Sequence, residues 1–404
     1  MDLSSIELTN VESSAPLMRS LSKSESLFTE ERVDTEFGQL CVAQQGADPS
    51  LQKPIILTYH DLGLNSVSNF QAFFNYIDIK LLLQSFCVYH LNAPGMEESA
   101  PPLPDNYVYP TLDQMAQQVH TVCKYYNIKS FIGFGVGAGA NILCRYALTN
   151  PDKVDGLFLI NPTSTASGWT EWLYQKVNIY YLGSFSPPSA AADTNGSQFP
   201  SWTQNYLMWH HFGKLTEDRN RDLVETYRKY FTGKSMNARN LSLFTDSYIK
   251  RTDLNITRGG DKNDQFKCSV LVLCGCLSPH VDDTVTMNSR LDPANSTWMK
   301  LSDCAMVLEE QPAKVSEAFR LFLQGLGYAL TAYERRRSSL RKMSTSSGDA
   351  INGNNNPVIN GFQLNGDDTS SRKNSIDEEV GNDDDGNDGK PIHIVENPIV
   401  EASC

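Results

Sequence analysis

The chain has 404 residues, 40% of them hydrophobic, and a formal net charge of −13. That apolar share supplies a large core, and the length accommodates one large domain or two smaller ones. The acidic balance argues against nucleic acid as a partner, because neutralising phosphates takes a basic face.

Residues 1–31 are rich in Ser and Glu with little apolar periodicity and read as a mobile arm. A β pattern begins at Arg32, with Val33, Phe37, Leu40 and Val42 punctuated by Gly38 and Gly46, and predicts an opening hairpin. Pro54 to Tyr59 is a continuous apolar run, as a strand buried on both faces requires. Asn69 to Ser85 has helical spacing in Phe73, Tyr76, Ile77 and Leu81. Phe86 to Leu91 is the next strand. Thr111 then opens a helix with Gln114 at the capping-box distance. Its buried stripe is Leu112, Met115, Val119, Val122, Cys123 and Tyr126. Further strands are expected at Ser130–Phe134 and Val154–Pro162. Strands alternating with helices imply a mostly parallel sheet with helices on both faces.

The alternation stops after about residue 166. Residues 167–264 read as a helical cap, aromatic-rich, with a flexible Ser/Pro/Ala/Gly loop near 184–201. Strand patterns resume within 265–328, at Cys268–Leu273 and Thr297–Leu301, before a closing helix from about Pro312 to Leu326. The remainder, 329–404, passes from a basic cluster at Arg335–Lys342 to Asn/Gly/Asp-rich sequence. Such a tail cannot bury enough apolar surface to offset its chain entropy.

Several of the nine cysteines lie in apolar runs (Cys87, Cys144, Cys268, Cys274), which predicts buried thiols in a reducing compartment rather than a disulfide framework. Cys274-Gly275-Cys276 has no second Cys/His pair nearby in sequence, so neither a metal nor a cofactor is expected. No basic stretch followed by an apolar run opens the sequence, and no apolar stretch approaches the roughly 20 residues of a membrane helix. The expectation is a cytoplasmic protein.

The most informative stretch is Gly135-Val136-Gly137-Ala138-Gly139. Between an apolar strand and a helix it matches the context of the G-x-S-x-G elbow of α/β-hydrolases, with Gly137 where the serine nucleophile would stand. The acid of a Ser-Asp-His triad belongs after Leu273, where the chain offers Cys276, Leu277 or Ser278; Asp282 and Asp283 are available only if the loop bends further. The histidine position falls on Ala305, and no histidine occurs between His280 and His393. Losing nucleophile or base costs a serine hydrolase about 10⁶ in turnover. His60-Asp61-Leu62-Gly63 stands where the oxyanion segment belongs.

Gly133 to Leu143, Tyr59 to Asn65, Leu207 to Gly213 and Ser278-Pro279 with Asn288 to Pro293 together resemble the N-myc downstream-regulated family, over roughly Arg32 to Tyr328. The resemblance implies an α/β-hydrolase fold without hydrolase activity. It also implies a cytoplasmic role in growth, differentiation, stress signalling or vesicle trafficking, through protein and sometimes lipid contacts. One departure is Cys276, where family members usually carry Asp after the glycine.

A binding protein on an inactive hydrolase fold is therefore the leading expectation. Its candidate pocket residues are His60, Asp61, Gly137, Ala138 and His280. The rival is an enzyme in which His60, Asp61, His280 and Asp282 converge to hold a metal or activate water. Against it, His60 and Asp61 would merely cap a strand end and His280 would be a solvated loop residue. His210 and His211 are adjacent on a helix and point in different directions, which predicts packing within the cap rather than a metal pair. Ser338, Ser339, Ser344, Ser375 and Ser22 are candidate phosphorylation sites, and Arg335–Lys342 is a candidate contact with anionic membranes.

Overall fold

A computed structural model describes residues 29–184, 199–215, 219–232, 235–260, 265–328 and 330. These belong to the first of two units, Met1–Ser338. The five candidate phosphorylation serines, the cluster Arg335–Lys342 and most of the 184–201 loop lie outside them.

One eight-stranded sheet organises this unit, in the order β1-β2-β4-β3-β5-β6-β7-β8. β1 (Thr29–Thr35) and β2 (Gly38–Gly46) form the opening hairpin, beginning three residues before Arg32. Gly38 takes φ +100° at its turn, a conformation glycine adopts without strain. β2 runs antiparallel to β4 (Cys87–Leu91), and β3 (Ile55–Tyr59) lies parallel beside β4. β5 (Phe131–Val136), β6 (Val154–Ile160), β7 (Ser269–Gly275) and β8 (Ser296–Leu301) continue the sheet in parallel.

Successive strand residues feed opposite faces. Leu57 and Tyr59 enter one core cluster and Ile56 the other; Phe131 enters the first, Ile132 and Phe134 the second. Where both faces are covered a strand is largely apolar, and all six residues of β5 are buried.

The stretch after β3 is not one helix. A π turn over Val67–Gln71 leads into α1 (Ala72–Phe74), then α2 (Ile77–Leu82). The break falls at Tyr76, which is extended at ψ 139°. Beside it, the Asn75 side chain accepts from Gln45 Nε2 at 3.4 Å, so residue 75 serves a tertiary contact. α3 (Leu112–Tyr125) carries the full capping box: Thr111 Oγ1 accepts from Gln114 N, and Gln114 Oε1 from Thr111 N. α4 (Ala138–Thr149) follows β5 and is buried along nearly its whole length.

Between β6 and β7 stand α5 (Trp169–Ser184), α6 (Ser201–Phe212), α7 (Arg221–Thr232) and α8 (Ala238–Ile249), with no strand among the described residues. The Arg251 guanidinium grips Glu171 of α5 in a two-point pair (2.8 and 2.7 Å) and lies 4.3 Å from the Tyr248 ring of α8. α9 (Val281–Arg290), α10 (Val307–Glu310) and α11 (Pro312–Gly325) complete the unit. The described cysteines are all free thiols. Burial pushes the Cys268 thiol up to about 12 and the Cys274 thiol up to about 11.

Candidate functional site: an elbow closed by its own carboxylate

The chain leaves β5, turns sharply at Gly137 (φ +50°, ψ −113°) and enters α4. Gly137 N donates to Ile160 O at 2.9 Å, which ties the turn to β6. Gly139 is required by close approach: a Cβ there would lie 2.1 Å from Tyr59 O, at the end of β3. The strand-turn-helix geometry of a nucleophile elbow is therefore present.

Asp61 occupies the elbow's reacting position. Its Oδ1 accepts from Ala138 N at 2.9 Å and from Leu62 N at 2.7 Å. One donor follows the nucleophile position and the other comes from the loop after β3, the two sources of an oxyanion hole in this architecture. The hole thus holds a resident carboxylate oxygen. A Cβ built on Gly137 would lie 2.0 Å from Asp61 Oδ1, so a serine at 137 and Asp61 in this pose exclude one another.

The other carboxylate oxygen faces the cap. His210 Nε2 lies 3.1 Å from Asp61 Oδ2, and His211 Nδ1 lies 3.9 Å from it. Burial alone would raise the Asp61 carboxyl. The imidazoles of His210, His211 and His280 outweigh burial and hold it well below the usual carboxylate range. For His211, burial, reinforced by neighbouring His210, pushes the imidazolium down to about 3, so the ring is neutral. His211 Nε2 donates to Leu62 O at 3.0 Å, and His210 Nδ1 lies 3.3 Å from Tyr206 Oη.

The two remaining triad positions are also filled. Cys276 Sγ accepts from Asp303 N at 3.1 Å. Ala305 is buried, and its N–H donates to Glu310 Oε2 at 2.7 Å. That oxygen also accepts from Met306 N at 2.8 Å and pairs with Arg219 Nη2 at 3.2 Å. A fixed carboxylate therefore stands beside the position expected for the base.

The four-residue set of the rival reading does not assemble. His60 Nδ1 donates to Asp61 O at 2.8 Å, and its Nε2 accepts from Ala93 N at 2.9 Å, so neither ring nitrogen is open to a metal. His60 is buried, and that burial pushes it down to about 4. Asp282 is exposed in the first turn of α9. His280 does approach: its ring centroid is 4.5 Å from that of His210, and its Nε2 is 3.2 Å from His210 O. A cavity of about 570 Å³ opens between α5 and α6, lined by Tyr174, Trp202, Tyr206 and Trp209. It meets the site through Tyr206.

The Ndr family model matches residues 30–330. The chain belongs to the Ndr family. It is 38% identical to Protein NDRG2 of Bos taurus over 323 residues, covering 80% of this chain and 84% of that one. Against Protein NDRG3 of Xenopus tropicalis it is 39% identical over 307 residues, covering 74% and 73%. Solved structures place this Ndr-family chain on the α/β-hydrolase fold. A thermophilic esterase from Thermogutta terrifontis superposes with TM-score 0.57 at 16% identity, over 74% of this chain and 99% of its own. A hydrolase from Pseudomonas aeruginosa PA01 does so with 0.55 at 18%, over 73% and 98%. At these identities the likeness concerns the fold alone.

The packing expected for His210 and His211 needs correction. Adjacent helical side chains do diverge, and these rings cross at 87°. Yet both reach out of the cap to Asp61: the distal nitrogen of His210 lies 3.1 Å and the proximal nitrogen of His211 3.9 Å from one carboxylate oxygen. The available signal is an acid beside the oxyanion segment, opposite a position that has lost its side chain.

Proposed function

We propose that this Ndr-family protein acts by binding rather than by hydrolysis, as a cytoplasmic or membrane-peripheral component of signalling, growth and differentiation, stress response or vesicle trafficking. The observation that carries the reading is the Asp61 carboxylate seated on Ala138 N and Leu62 N. An acyl substrate needs those donors for its tetrahedral oxyanion. With them satisfied, and with glycine and alanine at the nucleophile and base positions, the hydrolase route lacks attack, proton transfer and charge stabilisation together. The rest of the elbow serves as a rigid scaffold. Family membership supports the same reading.

No helix among the described residues is long and apolar enough to cross a membrane. Membrane contact would then be peripheral, through Arg335–Lys342, and phosphate on Ser338, Ser339 or Ser344 would cancel that charge. Two experiments test the reading. A panel of acyl esters incubated with the full chain should turn over no faster than buffer; hydrolysis abolished by a substitution at Asp61 would overturn it. Affinity capture with the full chain and with a chain ending near Tyr333 should assign partners to the fold or the tail.

A further inference from the structure

We infer that Asp61, His210 and His211 form a site for one divalent first-row ion, Zn²⁺ by its donor set, joining the helical insertion to the loop after β3. Asp61 follows β3, whereas His210 and His211 stand in the last turn of α6. All three residues are buried, and their ligand atoms lie within 4.8 Å of one another. Four-coordinate zinc with bonds of about 2.0–2.2 Å spaces its ligands by about 3.3 Å. Asp61 Oδ2 is 3.1 Å from His210 Nε2 and 3.9 Å from His211 Nδ1, on either side of that spacing.

Hydrogen-bond bookkeeping points the same way. Leu62 O can only accept, so His211 Nε2 donates to it, which turns Nδ1 towards Asp61 Oδ2. The 3.9 Å between Nδ1 and that carboxylate oxygen is too long for a hydrogen bond. A cation between the two atoms would bind both. His210 Nε2 donates to Asp61 Oδ2 at 3.1 Å; with a cation bound, that proton would sit on Nδ1, where Tyr206 Oη accepts it. The surroundings already orient each donor: Ala138 N and Leu62 N hold Asp61 by Oδ1 and leave Oδ2 inward, and Leu62 O fixes the His211 ring. Two imidazoles and a carboxylate suit Zn²⁺ and leave a fourth position for water.

The test uses the full chain, stripped with chelator and titrated with ZnCl₂ by calorimetry. One equivalent should bind and raise Tm. His211→Gln and His210→Gln should each weaken binding at least about tenfold and abolish the Tm rise. His393→Gln and Cys276→Ser should leave both unchanged. Absence of stoichiometric binding, equal affinity in the His211→Gln protein, or loss in either control would overturn the assignment. Should the histidine variants fail to fold, the Co²⁺-loaded wild-type protein decides. Four-coordinate d–d bands without thiolate charge transfer support the site. A thiolate charge-transfer band, or the weak spectrum of octahedral cobalt, contradicts it.

Discussion

Gly137 is where a missing side chain and a present one explain each other. Without a Cβ at 137 there is room for Asp61 Oδ1, and once that oxygen sits on two backbone N–H groups a side chain at 137 no longer fits. Gly137→Ser is therefore expected to destabilise the protein by about 3 kcal/mol, from positive-φ strain and a displaced buried carboxylate. Urea unfolding measures this; a neutral substitution would mean that Asp61 moves aside without cost. The sequence makes the lost triad visible because elbow, acid and base stand in a fixed chain order. It does not reveal the occupant of the hole, because an aspartate after a strand reads as a cap until the turn that it faces is placed against it.

At the scale of elements, α3 shows local chemistry acting as its spacing says. Its capping box is complete, so Thr111→Ala should cost about 1 kcal/mol in thermal or chemical unfolding, and Thr111→Ser much less. The helices between β6 and β7 depend on partners far apart in sequence. Arg251 is buried and leans on Glu171, so Glu171→Gln should cost about 2 kcal/mol. Unchanged unfolding in that variant would show that Tyr248 and the Thr165 and Tyr248 carbonyls suffice for the guanidinium. Strands are legible in the sequence because burial on both faces demands continuous apolar runs. The break at Tyr76 is not, since no glycine or proline marks it. Nor is the meeting of α6 with Asp61: the residues are 149 apart, and helical periodicity gives a face but not what the face meets.

Across the whole molecule, buried titratable groups set a pH profile with two signs. Burial pushes the Glu309 carboxyl up to about 8 from 4.5. The residue is half-buried overall, but the carboxyl is turned onto Tyr227, whose single proton cannot serve both Ser68 O at 2.7 Å and Glu309 Oε1 at 3.0 Å. A protonated Glu309 completes that chain. Its folded value lies above its ordinary one, so its contribution is present below about 4.5 and lost as pH rises through about 8. Burial acts oppositely on His60, His90 and His211, lowering them from 6.5 to about 4, 3 and 3. Their contribution is present above about 6.5 and lost as pH falls towards 3–4. Stability by urea unfolding should peak near about pH 6.5, each proton contributing about 1.4 kcal/mol per pH unit. Glu309→Gln should remove the decline on the alkaline side; an unchanged decline would place it elsewhere.

This fold keeps a hydrolase elbow whose charge-stabilising donors are already occupied. Intact-mass analysis after saturating fluorophosphonate treatment tests this most directly, on the wild-type chain and on Gly137→Ser. Neither protein should gain an adduct: the wild-type chain has no nucleophile at 137 and its two donors belong to Asp61, and the introduced hydroxyl meets no general base, because Ala305 stands at the histidine position. A stoichiometric adduct on the wild-type protein, or on the introduced hydroxyl of the Gly137→Ser protein, would contradict the account.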